Sequence, residues 1–348
     1  MIKLNSIEYV ELWVKDALEV ATFYEKYFGF ERIAEANPET GLEDYNSVIL
    51  KQGDAKLIVT SSINGKGPVA DFVLKHGDGV RDIAFSVDNA TQSFEEAIYS
   101  GAIASEVGAI SCYGLKHRTI CAFGDVVHTF IEKGYLSPFF RILSTSPNST
   151  PKFCIQNIDH IAMCLGSGEL DKVAHFYKKI LSFEDGQEEY VETEYSGMNS
   201  RVVIHDTIKF PLQEPLKENP SGPIFEFLNL NCGPGAYHVA LLSSDIYHTI
   251  RNLPSEIKAL DIPDTYYEQL ASRIKIKEPI ADLKDLKILV DGVPNGYLMQ
   301  VFTRSIHKRH TFYIEIIQRV GHEGFGSGNV RALFNAIEAD RIKLNENM

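Results

Sequence analysis

Hydrophobic and polar positions alternate in blocks along this chain, and the blocks recur. From Ile7, IEYVELWVKDALEVATFYEKYFGF opens with an alternating run, the mark of a half-buried strand. It then takes helical spacing ending in Phe23-Tyr24 and reaches a short apolar turn at Phe30. From Ile158, IDHIAMCLGSGELDKVAHFYKKILSF follows the same course, with Phe176-Tyr177 and Phe183 in the matching places. A second pair is GDGVRDIAFSVDN from Gly77 and GPGAYHVALLSSD from Gly233: a two-glycine turn, an alternating strand and an Asp-containing turn. A weaker third pair sets TFIEK from Thr129 against EIIQR from Glu315. Three matches in one order identify an internal repeat.

Each half therefore predicts a strand, a helix and several further strands. That is an α+β fold with helices on one face of a curved sheet. The opposite, concave face is a natural ligand site. LSTSPNSTPK, Leu143 to Lys152, reads as a linker. It divides the chain into domains at 1–142 and 153–348, joined by 143–152. The second half is longer, mainly between Asp245 and Met299, where Val293-Pro294-Asn295-Gly296 predicts a hairpin turn. Beyond the glycine-rich stretch Gly324 to Gly328, Val330, Leu333, Phe334 and Ile337 keep helical spacing, which predicts a C-terminal helix over Asn329 to Lys343.

The repeat allows one copy to be subtracted from the other. Tyr9 aligns with His160, Asp82 with His238, and Thr129 with Glu315. The second half thus holds two His and one Glu where the first holds Tyr, Asp and Thr. All three lie on predicted strands. Two His and a carboxylate form a facial triad, which binds one face of a divalent ion, leaves positions open and suits non-heme iron(II). The structural alternatives stand beside this reading. A single histidine on an apolar strand is more often a core residue with a satisfied hydrogen bond, and Glu315 can be neutralised by a buried Arg. The other histidines (His76, His117, His128, His175, His205, His248, His307, His310 and His322) are expected mostly on solvated faces or turns.

Composition narrows the partners. The chain has 348 residues, 44% hydrophobic and 23% charged, enough for more than one core. A formal net charge of −13 argues against a nucleic-acid backbone or an anionic membrane as partner. No run approaches the ~18 apolar residues of a membrane helix, and Glu8 and Glu11 interrupt any signal-peptide core. The five cysteines contain no C-x-x-C pair, so neither a disulfide framework nor a closed structural zinc site is expected. The expected setting is the reducing cytoplasm.

The residues around these positions resemble the 4-hydroxyphenylpyruvate dioxygenase family of the vicinal-oxygen-chelate superfamily. The resemblance rests on IDHIAM around His160, GPGAYHVALLSSDI around His238, LMQVFT from Leu298, TFYIEIIQR around Glu315 and GFGSGNVRALFNAIE from Gly324. It implies paired βαβββ modules in each half, with iron(II) only in the C-terminal half, an open barrel-like sheet closed by the C-terminal helix. It implies His160, His238 and Glu315 as metal ligands and catalytic centre, dioxygen as co-substrate and a small 2-oxo acid as substrate. That acid carries its own 2-oxo group, is oxidatively decarboxylated and is then hydroxylated. A homo-oligomer is also implied.

Two outcomes occur in the family: ring hydroxylation to homogentisate and benzylic hydroxylation to 4-hydroxymandelate. IDHIAMCLGSGEL, FGDVVHT and HKRHTFYIE resemble the mandelate-forming branch. So does Val330, where the homogentisate-forming enzymes resemble one another in having Phe. The resemblance implies Phe302 and Phe325 as ring walls, Ser200 and Gln300 as polar contacts, and Asn329 and Val330 on the last helix beside the substrate. This chain departs from the pattern at Tyr237, where Gln is usual, at Gln213 within Pro211 to Pro215, where PLNEP is usual, and at Pro223, where a Gln is expected. Tyr237 and Gln213 are then candidate replacement contacts, and the substrate is 4-hydroxyphenylpyruvate or another aryl or alkyl 2-oxo acid. Catechol cleavage, glyoxalase-type isomerisation and metal-free binding of an aromatic compound are the competing uses of the scaffold.

Overall fold

The computed structural model describes residues 2–107, 118–144, 153–192, 197–216, 222–254, 257, 259–293, 296–326 and 328–332. Two eight-stranded sheets lie in succession along the chain. The first holds β1 (Ser6–Trp13), β2 (Glu31–Ala36), β3 (Tyr45–Gln52), β4 (Ala55–Ser62), β5 (Gly79–Val87), β6 (Thr119–Phe123), β7 (Val126–Glu132) and β8 (Arg141–Ile142). Its spatial order is β6-β7-β5-β1-β4-β3-β2-β8. The second holds β9 (Ile155–Cys164), β10 (Glu184–Glu192), β11 (Gly197–His205), β12 (Ile208–Pro215), β13 (Gly235–Ser243), β14 (Leu289–Val293), β15 (Gly296–Phe302) and β16 (Tyr313–Val320). Its order is β10-β11-β12-β9-β13-β16-β15-β14. The long alternating stretches β1 and β9 are each followed by a helix, Ala17–Phe28 and Leu170–Leu181. The α+β class read from the pattern is the observed one.

The two sheets share one register. Tyr9 pairs with Ala84 as His160 pairs with Ala240. Glu11 pairs with Asp82 as Ala162 pairs with His238. Asp82 pairs with Val127 as His238 pairs with Tyr313. The alignment used for the subtraction is therefore also a spatial one. The helices end alike too: Gly29 closes the first in a left-handed conformation, and Ser182 adopts the same conformation after the second. The pairing of Val293 with Gly296 forms the hairpin expected there, though residues 294–295 lie outside the described ones. Of the expected C-terminal helix, 328–332 is helical and the rest lies outside the described residues, as does most of the Leu143 to Lys152 stretch. No helix among the described residues is long and apolar enough to cross a membrane.

One hydrophobic cluster runs through both halves. At its centre Phe85 and His128 of the first half meet Tyr177, Phe183 and Phe210 of the second. The expectation that most remaining histidines are solvated fails for His76, His128 and His307, all buried. Each lies between the halves, where packing removes water and a partner replaces it. His128 sits between the Ile83 carbonyl at 3.0 Å and the Tyr177 hydroxyl at 2.8 Å. Burial lowers its pKa to about 4, so the ring is neutral. His307 meets Asp78 at 3.0 Å, and Arg309 donates to the Leu74 carbonyl at 2.8 Å. The loop between β15 and β16 thereby grips the first half.

In the first sheet the place of the triad is filled by its own hydrogen bonds. Tyr9 donates to Asp82 at 3.1 Å, while Trp13 and Thr60 donate to Glu11 at 3.1 and 2.9 Å. Burial and the Glu11 carboxylate push the Asp82 carboxyl up to about 8. An unfolded chain releases that proton near pH 3.9. The folded state therefore holds the extra proton between those values, and its contribution to stability, complete below about pH 4, is lost as pH rises to about 8. Asp82→Asn keeps the shape without the titration. Melting followed by circular dichroism should show the variant gaining on the wild type between about pH 5 and about pH 8, by up to about 1.4 kcal/mol per pH unit. A difference independent of pH would remove Asp82 as the source.

Candidate functional site

Three strands bring His160, His238 and Glu315 together. β9 and β13 run antiparallel and β13 and β16 parallel, side by side. The Nε2 atoms of His160 and His238 lie 3.3 and 3.0 Å from the same Glu315 oxygen, Oε2, and 3.4 Å from each other. All three side chains are buried, with Glu315 only 1% exposed. Among the described residues this is the group of His, Cys, Asp or Glu whose ligand atoms converge closely enough to hold a metal ion.

Local irregularities aim the side chains. β9 carries an extra residue, Asp159, between the paired Ile158 and His160, and β13 carries Tyr237 between the paired Ala236 and His238. Such bulges turn a strand locally and redirect its side chains. Asp159 thus sits beside its neighbour, and its Oδ1 lies 2.7 Å from His160 Nδ1. A proton donated from Nδ1 to Asp159 fixes the ring so that Nε2 is the nitrogen facing Glu315. Asp159 also receives two bonds from Arg319, each 2.7 Å. Burial pushes the Asp159 carboxyl up, but Arg319 and His160 outweigh it and hold it well below the usual carboxylate range.

The electrostatics suit a cation. Burial pushes the Glu315 carboxyl up, but the two imidazoles outweigh it and hold it low. Burial pulls His160 down, but Glu315 and Asp159 outweigh it and raise the ring above its ordinary value. His238 is lowered by burial. Glu315 Oε1 and His238 Nδ1 are buried with no hydrogen-bond partner. A buried carboxylate oxygen without a donor is costly and calls for a compensating charge. The donor set fits a divalent metal bound on one face.

Beside the triad lies a cavity of about 70 Å³. Ser200, Gln213, Gln300, Phe302, Phe325 and Val330 line it, as the sequence anticipates. Phe302 stands edge-on to His238 at 5.5 Å and Phe325 edge-on to His160 at 5.3 Å. Gly326 has φ +75°, a left-handed conformation that favours glycine, and a Cβ there would come within 2.3 Å of the Gln300 side-chain amide, which would have to shift. Two anticipated residues lie elsewhere. Tyr237 packs against Phe227 at 5.2 Å and Tyr313 at 4.6 Å. Asn329 is buried and accepts a 2.6 Å bond from the Tyr266 hydroxyl. Sequence reasoning missed Ala162, Gln187, Glu189, Met198, Val202 and Pro211 as lining residues. Strand parity would have found the last three, two positions from Ser200 or Gln213 on the same face. Gln187 and Glu189 also border an outer cleft of about 540 Å³ that contains Arg273, Asp291 and Arg331.

Residues 6–108 match the family described as Glyoxalase/Bleomycin resistance protein/Dioxygenase superfamily. The chain is 35% identical to 4-hydroxyphenylpyruvate dioxygenase of Xenopus tropicalis and 35% identical to that of Danio rerio. Each alignment covers 97% of this chain and 91% of the relative. A solved mutant of 4-hydroxymandelate synthase from Streptomyces coelicolor is 35% identical, with a TM-score of 0.84 over 97% of this chain and 99% of the other. Shared sequence and shared fold lead to one conclusion: the chain is a dioxygenase that belongs to the 4-hydroxyphenylpyruvate dioxygenase family.

Proposed function

We propose that the protein is an iron(II)-dependent dioxygenase of an aryl 2-oxo acid, 4-hydroxyphenylpyruvate or a close analogue, with 4-hydroxymandelate as its product. The observation that carries this reading is a His-His-Glu triad at one end of a cavity walled by two phenylalanines, with the short Val330 side chain on its lining. Iron(II) held by His160, His238 and Glu315 would supply chelation of the 2-oxo acid and activation of dioxygen.

The other residues orient the substrate. Phe302 and Phe325 give an aromatic ring two faces to pack against. Gln300, Gln213 and Ser200 offer donors and acceptors to a phenol or a carboxylate. The turn carrying Phe325 and the helical residues 328–332 exclude water from the reacting centre. Val330 leaves room for the benzylic carbon to approach the oxidant, and a shift of about 1 Å is enough to change which atom reacts. Ring hydroxylation to homogentisate is the second reading, supported by the names of the relatives at equal identity.

With anaerobically purified protein, iron(II), 4-hydroxyphenylpyruvate and oxygen, mass and retention should identify 4-hydroxymandelate as the main product. Homogentisate instead would reject the product while keeping the reaction class. Val330→Phe should move the ratio toward homogentisate, and an unchanged ratio would sink the steric argument.

Proton bookkeeping tests the triad separately. His160 is held protonated by Glu315 and Asp159 in the metal-free protein, and a cation must displace that proton. Calorimetric titration with cobalt(II) at neutral pH, in buffers of different ionisation heat, should report release of about one proton per ion. His160→Ala should lose both that release and tight binding. Tight binding that persists in the variant would remove His160 as a ligand.

A further inference from the structure

We propose that Arg319 is a positioning residue that couples the orientation of His160 to the turn carrying Phe325 and Val330. The proposal rests on the metal-site reading above. Arg319 lies four residues after Glu315 on β16, so both side chains leave the same face of the strand. Its guanidinium commits every nitrogen. Nε and Nη2 donate to Asp159 Oδ2 and Oδ1 at 2.7 Å each. Nη1 donates to the carbonyls of His322 at 2.9 Å and Gly324 at 2.6 Å. The guanidinium carbon also lies 5.5 Å from the centre of the Phe325 ring.

Each partner leads to the cation site by a different route. Asp159 holds His160 Nδ1 at 2.7 Å and so sets the ring's rotation and tautomer. The carbonyls of His322 and Gly324 fix the start of the turn, Phe325 stands edge-on to His160, and the amides of Asn329 and Val330 donate to the Gly326 carbonyl at 2.9 and 3.1 Å. One side chain thus joins the ligand's orienting carboxylate to the wall of the substrate cavity. A plain buried ion pair would need only the two bonds to Asp159. The two further bonds into the turn make the arrangement a coupler. Lysine has a point charge and no planar fork, so it cannot serve both sides at once.

Coupling between two sites is reciprocal. A cation that fixes His160 fixes Asp159, hence Arg319, hence the turn, and an ordered turn returns the favour to the cation. Cobalt(II) alone is the probe, without substrate or turnover. In the wild type, cobalt(II) should slow amide hydrogen exchange in peptides spanning residues 320–332. In Arg319→Lys and Arg319→Met, cobalt(II) affinity should fall about 10–100-fold. At saturating cobalt(II) the protection of 320–332 should be lost, while protection of β9 and β13 persists. A variant that keeps the wild-type protection once loaded would reduce Arg319 to a structural ion pair and overturn the proposal. If neither variant folds, the wild type still decides, because cobalt(II) binding without protection of 320–332 also overturns it. Failure of the wild type to bind cobalt(II) would instead reject the metal-site reading itself.

Discussion

The structure depends on the register between β9 and β13. These strands pair antiparallel, each with an inserted residue, and β16 joins β13 in parallel. Side chains alternate across a strand, so a slip of one residue would turn His160 or His238 to the far face. The bulges let two consecutive residues, Asp159 and His160, act on the same site. The first half repeats the device, with Glu8 in the place of Asp159 and Arg81 in the place of Tyr237. The insertions are thus a property of the module, and in the second half they stand beside the converging His-His-Glu donor set.

Burial makes the same arrangement electrostatically demanding. The Glu315 carboxylate is buried between two imidazoles, and one of its oxygens has no donor. Isolated charges are expensive away from water unless compensated. The first half meets that demand differently: Tyr9 donates to Asp82, Trp13 and Thr60 donate to Glu11, and burial beside Glu11 pushes the Asp82 carboxyl up to about 8, although Asp82 Oδ1 also has no hydrogen-bond partner. One scaffold therefore carries a Tyr9–Asp82 hydrogen bond in one copy and a converging His-His-Glu donor set in the other. The choice lies in three pairs of residues: Tyr9 or His160, Asp82 or His238, Thr129 or Glu315.

Around the triad, the cavity is built from more distant parts of the chain. β11 and β12 contribute Met198, Ser200, Val202, Pro211 and Gln213, β15 contributes Gln300 and Phe302, and the last turn contributes Phe325 and Val330. Gly326, in a left-handed conformation that favours glycine, lies where that turn passes over Gln300. The buried histidines His76, His128 and His307 hold the halves together, and the loop bearing His307 and Arg309 anchors the strand pair that presents Phe302 and Glu315.

The sequence by itself determined the repeat, the α+β class and the three donor positions. All three follow from local periodicity and from comparison of one copy with the other, and neither needs a long-range contact. It also named six of the cavity's lining residues through short motifs. Only the tertiary structure decided that Asp159 and Arg319 stand behind His160, that Tyr237 and Asn329 pack away from the cavity lining, and that Gln187 and Glu189 join it. These facts depend on bulges and on contacts between segments 160 residues apart, as from Asp159 to Arg319. Alternation along a single strand carries no information about which strand will lie beside it, or about where an inserted residue turns its face.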